Sequence, residues 1–211
     1  MARFAMITEA DARMLPEGST VELLPGGHVT PLAADTLRDR RITVLRADQV
    51  VDGDGADLMP VADVRRVVVG SDHTGVALKQ FLVSALRGRG LAVQAVGPEG
   101  ASPAPVDYPD IAEQVGLVVV RGEADAGIVI DGAGLGSTMA ANKVRGVRAA
   151  LCFNETLARY ARQHNGANVL ALGATLVSTS DALAIAVTFF TTSMTEPRYI
   201  RRLLKLKRLD G

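Results

Sequence analysis

The chain has 211 residues, 48% of them hydrophobic, which excludes a disordered or fibrous protein and allows one full-sized domain with a small appendage. Lys and Arg number 23 against 23 Asp and Glu, so no broad basic face exists for nucleic acid or a membrane surface. An aromatic content of 4% without Trp excludes a base-stacking platform.

The chain opens MARFAMITEADARML, with acidic residues where a secretory signal needs an unbroken apolar run. No stretch approaches the ~20 apolar residues of a membrane span, so a cytoplasmic setting with no membrane partner is expected. Thr8 can cap a short helix running to Leu15, and VELL followed by Pro25-Gly26-Gly27 reads as a strand entering a turn. Thr30 as N-cap with Pro31 behind it marks a second helix through LAADTLRDR into the strand-like RITVL. Residues 1–45 are therefore expected to form a small docking or oligomerisation module, too small for more than a marginal core. Residues 46–64, beginning RADQVVDGDGADLM, mix acids and glycines without a period and read as a linker.

From residue 65 to 211 short apolar runs alternate with helical patterns. VVVG precedes an amphipathic stretch over 76–89, LAVQAV precedes a helix over 109–120, and GIVI precedes a Gly-rich turn. RAALC then leads to a helix over 155–164, and NVLAL to a helix over 180–191 and a basic helical tail. Runs of this kind between helices predict an α/β class: a doubly wound, Rossmann-like sheet of about five parallel strands flanked by helices. Cys152, the single cysteine, lies in one such run with no activating partner and reads as core. It gives neither a disulfide framework nor a multi-Cys zinc site, in keeping with a reducing compartment and no metal.

Ligands of such a sheet sit at the carboxyl ends of its strands. After VVVG comes Ser71-Asp72-His73-Thr74-Gly75, and after GIVI comes Asp131-Gly132-Ala133-Gly134-Leu135-Gly136-Ser137. The glycine turn is expected to leave backbone N–H groups open to an anion or a developing oxyanion, although it also half-matches a dinucleotide fingerprint. Asp131, at the end of an apolar strand, is expected to be partly desolvated, which raises a carboxyl pKa toward a general base; the alternative is that it caps the turn. His73 and His164 lie near element ends beside Asp72 and Asn165, placements that suit proton chemistry, against the alternative of solvated or structurally satisfied imidazoles. In the tail, Arg198 and Arg202 are spaced i,i+4 and suit a phosphate clamp, against the alternative of a solvated helix face.

The stretches VVVGSDHTGVALKQFL, VDYPDIAEQV, GEADAGIVIDGAGLGSTMAANKVRGVRAALC, ARQHNGANVLALGA and EPRYIRR together resemble the type B ribose-5-phosphate isomerases, a family that also contains the galactose-6-phosphate isomerase subunits. The resemblance implies aldose-ketose isomerisation of a four- to six-carbon sugar phosphate through a cis-enediolate, without cofactor. It places Asp72 and His73 on the sugar and its phosphate end, Tyr108 in the pocket wall, and the amides of Gly132, Gly134, Leu135, Gly136 and Ser137 around the enediolate. His164 would assist ring opening, Asn165 would bind hydroxyls, and Arg198 and Arg202 would join His73 on phosphate. It also implies a homodimer, or a dimer of dimers, whose sites take the His-Asn and Arg elements from a second subunit.

Three departures from that family stand out. The positions of its usual Cys base and of an alternative Glu base hold Asp131 and Ser137, the Thr of its Cys-type motif is Ala133, and the Arg of LGAR is Thr175. Asp131 is therefore the expected base. A non-catalytic sugar-phosphate sensor or scaffold and a dinucleotide-dependent oxidoreductase remain the other readings. The N-terminal segment resembles a short "ITE…TPLA" motif at the starts of some enzymes of bacterial microcompartments.

Overall fold

In a computed structural model, residues 2–46, 58–61, 63–101, 103–194 and 196–210 are described. The chain divides into two compact units, Met1–Ala56 and Asp57–Gly211. Most of the linker expected over 46–64 lies outside the described residues.

The first unit is a parallel sheet ordered β1 (Arg3–Ile7), β2 (Thr20–Val29), β3 (Thr43–Arg46), with crossover helices α1 (Glu9–Met14) and α2 (Pro31–Asp39). Thr8 forms a capping box: its hydroxyl accepts the Asp11 N–H at 3.4 Å and its own N–H donates to the Asp11 carboxylate at 2.9 Å. Thr30 accepts the Ala33 N–H ahead of α2. Ile7, Val21, Leu23, Leu37 and Ile42 bury together between these elements.

Two features of this unit differ from expectation. RFAMI is a strand, hidden from periodicity because Ile7 is its only buried residue. Pro25-Gly26-Gly27 does not end a strand; β1 pairs through Phe4↔Leu23 and then Met6↔His28, so residues 24–27 stand opposite Ala5 alone and β2 resumes beyond them. A Cβ on Gly27 would lie 2.7 Å from the Ala5 carbonyl oxygen, which restricts that position to glycine.

The second unit holds a five-stranded parallel sheet of β4 (Arg66–Ser71), β5 (Ala92–Val96), β6 (Ala126–Asp131), β7 (Ala149–Leu151) and β8 (Val169–Gly173) in the order β5-β4-β6-β8-β7. This is the expected α/β architecture. Along β8, Leu170 and Leu172 join one core while Val169 and Ala171 join the other. That two-sided burial is why the inner strands read as continuous apolar runs. Helices α3 (Val76–Arg87), α6 (Glu155–Asn165) and α7 (Thr179–Thr191) cover one face through Leu82, Leu86, Ala158, Ile185 and Phe189. On the other face lie α4 (Tyr108–Val120) and α5 (Leu135–Ala141), through Ala112, Val115, Val119 and Ala141. The basic tail forms α8 (Pro197–Lys207). No helix among the described residues is long and apolar enough to cross a membrane.

Candidate active site

From β4 the chain passes to β5 on one side and then to β6 on the other, so the carboxyl ends of β4 and β6 flank the switch point of the sheet. Their register, Ser71↔Ile130, sets the next residues, Asp72 and Asp131, side by side across it. Asp72 is buried, and its Oδ1 accepts the Thr74 N–H and hydroxyl at 2.8 and 2.6 Å and the Gly75 N–H at 3.2 Å. All three of these bonds go to Oδ1 and none to Oδ2. His73 is exposed, with Nδ1 3.3 Å from the Val106 carbonyl oxygen and 3.4 Å from the Val106 nitrogen. Tyr108, at the start of α4, packs on the glycine turn so closely that a Cβ on Gly136 would lie 2.6 Å from its ring.

Asp131 is buried, and both its oxygens are engaged. Oδ1 accepts the N–H groups of Ala133, at 2.9 Å, and of Gly134; Oδ2 accepts that of Ser137 at 2.8 Å. The turn therefore differs from the open anion cradle expected of it, because the carboxylate at the strand end already occupies part of it. Leu135 and Gly136, the first two residues of α5, keep N–H groups that no carbonyl of their own helix can reach. Gly134 adopts φ +76°, and a Cβ there would lie 2.5 Å from Leu151 Cδ1, so the turn requires glycine. Thr175 fastens the turn from the end of β8, donating from its N–H and hydroxyl to the Gly132 carbonyl at 3.0 and 2.7 Å.

The remaining expected residues lie elsewhere. His164 and Asn165 end α6 and lead through Gly166 to the amino end of β8, whereas Asp131 pairs with Gly173 at its carboxyl end. The rise along β8 puts about 13 Å between its two ends. Arg198 and Arg202 are exposed on α8, and Leu203 of the same helix lies against Gly166, since a Cβ on Gly166 would come 2.7 Å from Leu203 Cδ1. Within one chain the expected residues thus fall into two groups, two candidate half-sites: Asp72, His73, Tyr108 and the 131–137 turn toward one end of the sheet, and His164, Asn165, Arg198 and Arg202 toward the other.

Residues absent from the sequence reading support both halves. Lys79 is buried and donates to the carbonyls of Val96 and Pro98 at 2.9 and 2.6 Å, tying α3 to the loop that leads to Tyr108. Burial pushes its pKa down, against a smaller upward pull from Glu99. Arg162, fully buried, donates to Ala167 at 2.9 Å and to Val61 at 2.8 Å and lies 5.0 Å over the Phe189 ring, which fixes the end of α6. Burial, and then neighbouring Arg148, bring its pKa down to about 10. Neither has a sequence signal, because each serves carbonyls brought near by the fold. Cys152 is buried in the core as expected, with its thiol pushed up to about 12 by burial.

Comparison with known proteins bears on the second unit. Residues 67–206 match the family model described as Ribose/Galactose Isomerase. The chain is 42% identical over 114 residues to ribose-5-phosphate isomerase B of Escherichia coli K12, covering 54% of this chain and 75% of that protein. The structure of ribose-5-phosphate isomerase B from Clostridium thermocellum superimposes with a TM-score of 0.66 at 41% identity, covering 69% of this chain and 97% of that one. That of the Mycoplasma genitalium ribose-5-phosphate isomerase B, with bound ribulose-5-phosphate, does so with a TM-score of 0.64 at 39% identity, covering 69% and 95%.

Proposed function

Because this chain belongs to the Ribose/Galactose Isomerase family of sugar-phosphate isomerases, we propose that it interconverts ribose 5-phosphate and ribulose 5-phosphate, or a related four- to six-carbon pair, through a cis-enediolate. The observation that carries this reading is Asp131, fixed at the switch point beside Asp72 where the family's usual base stands. Its Oδ2 has one N–H partner against two for Oδ1, so Oδ2 is the oxygen that carries the proton between C2 and C1. The amides of Leu135 and Gly136 stabilise the enediolate oxygens, and Asp72 Oδ2, His73 and Tyr108 hold the sugar. The reaction moves hydrogen within one molecule and needs no external electron acceptor, so no cofactor is invoked.

His164 assists ring opening, Asn165 binds hydroxyls, and Arg198 and Arg202 hold the phosphate, all from a second copy of the chain. This reading is supported by the placement of the two half-sites at opposite ends of one sheet. It is also supported by Leu135, Met139, Phe153 and Leu176, apolar side chains exposed on α5 and just beyond β7 and β8. The first unit, outside the matched residues, takes the role of a docking or oligomer-stabilising module.

The test is aldose-ketose exchange of four- to six-carbon sugar phosphates in deuterated water. Turnover with deuterium entering at the transferred carbon is expected. Thermal stabilisation by a sugar phosphate without turnover would instead identify a sensor, a reading favoured by the three N–H groups that occupy Asp131.

A second expectation concerns the phosphate. Since Thr175 spends its polar atoms on Gly132, replacing Arg198 and Arg202 together with Ala should raise KM for a phosphorylated sugar more than about tenfold and leave its unphosphorylated form little changed. Equal effects on the two substrates would make the pair a structural part of the tail.

A further inference from the structure

The imidazole of His164 lies between two phenol rings. Tyr160, one turn earlier on α6, stacks on it with centroids 4.7 Å apart and planes 14° from parallel. Tyr199, from α8, stacks on it at 4.7 Å and 29°. The Tyr199 ring is shared, because the guanidinium carbons of Arg198 and Arg202 lie 5.0 and 5.8 Å from its centroid. Arg198 is held further: its Nη2 donates to the Tyr199 hydroxyl at 3.1 Å and its Nε lies 2.6 Å from the Glu196 carboxylate. Nη1 is the part of the fork left without either contact. Tyr199 is buried, whereas Tyr160, Arg198 and Arg202 are exposed.

A ring stacked on both faces cannot turn about its side-chain bonds without sweeping through its neighbours, so it presents its nitrogens edge-on in one plane. A guanidinium resting on an aromatic face is likewise restricted in tilt while its N–H groups stay outward. We propose that Tyr199 is a positioning residue that joins the His164 imidazole and the Arg198–Arg202 pair into one rigid unit, with Tyr160 closing the other face of the imidazole. The phosphate group that the arginines hold and the oxygen that His164 serves are thereby kept at a set spacing. The tyrosines act through these neighbours and are not assigned a contact with the sugar. This inference rests on the roles given above to His164, Arg198 and Arg202.

The experiment uses the full chain and three variants: Tyr160→Leu, Tyr199→Leu and Tyr199→Phe. Tyr160→Leu, at an exposed position, should keep the thermal midpoint and KM while lowering kcat about tenfold, because the freed imidazole spends less time in its working plane. Tyr199→Leu should lower kcat and raise KM, each about tenfold, as both dependants lose their platform. Tyr199→Phe keeps the ring and loses only the hydroxyl contact to Arg198; it should restore kcat to within about threefold while KM stays raised. Wild-type kcat and KM in both leucine variants would overturn the proposal, as would a Tyr199→Phe kcat as low as that of Tyr199→Leu. If Tyr199→Leu does not fold, Tyr160→Leu and Tyr199→Phe decide alone.

A second readout separates this inference from the proposed reaction. The chain has 3 histidines, so the His164 imidazole proton resonances can be assigned by their loss in His164→Gln and followed during titration with inorganic phosphate. Phosphate should move them in the wild type and fail to do so in Tyr199→Leu or, should that variant not fold, move them markedly less in Tyr199→Phe. That result in a protein that turns over no sugar phosphate would end the isomerase reading and leave the linked unit standing. Resonances unmoved by phosphate in the wild type, or moved equally in the Tyr199 variant, would overturn the linked unit whatever the activity.

Discussion

Asp131→Asn should lower kcat by at least about 10²-fold while substrate affinity stays within a few fold, the signature of losing a proton carrier from a site that still binds. Asparagine keeps an oxygen for the N–H groups of Ala133 and Gly134, but its amide group meets the Ser137 N–H donor to donor. That lost acceptor costs about 1–3 kcal/mol, so a fall of several degrees in the unfolding midpoint should accompany the kinetic change. Folding must therefore be read beside rate. Near-normal kcat in a folded, mildly destabilised variant would remove Asp131 from the mechanism and leave it as the cap of the glycine turn. A parallel loss of sugar-phosphate binding would mean that the turn itself had collapsed.

Mixing two inactive chains is the second large effect. Asp131→Asn damages the half-site at the carboxyl end of β6, and His164→Ala damages the half-site near the amino end of β8. If the working site combines one half from each copy, an Asp131→Asn/His164→Ala heterodimer has one site with both lesions and one with neither. Up to about half of the sites in each heterodimer should then regain activity when the chains are unfolded and reassembled together. Heterodimers verified by mass spectrometry that stay inactive, while wild-type chains survive the same reassembly, would place each site within a single chain.

Much of the fold is legible in the residues because its signals are local. The runs VVVG, GIVI and VLAL are apolar throughout since β4, β6 and β8 are covered on both faces, and Thr8 and Thr30 announce helix starts because the cap bonds reach only three residues ahead. The strand at Arg3–Ile7 escaped because one buried side chain leaves no period, and the resumption of β2 beyond Gly27 escaped because its cause is a partner strand, not the glycine itself.

The candidate site divides along the same line. The positions of Asp72, Asp131 and the glycine turn follow from strand-end placement, so the residue types and their order were enough to find them. That the Asp131 carboxylate turns back into its own amides depends on the φ of Gly134 and the crowding of Leu151 around it. Amino-acid order alone determined the class of sheet, the strand ends that carry polar groups and the family resemblance, since each rests on contacts within a few residues. Which of those groups meet was decided only by tertiary structure. His164 stacks on Tyr199, 35 positions away, and stands at the opposite end of a strand from Asp131, because helix packing and the direction of β8 set distances that no local spacing encodes.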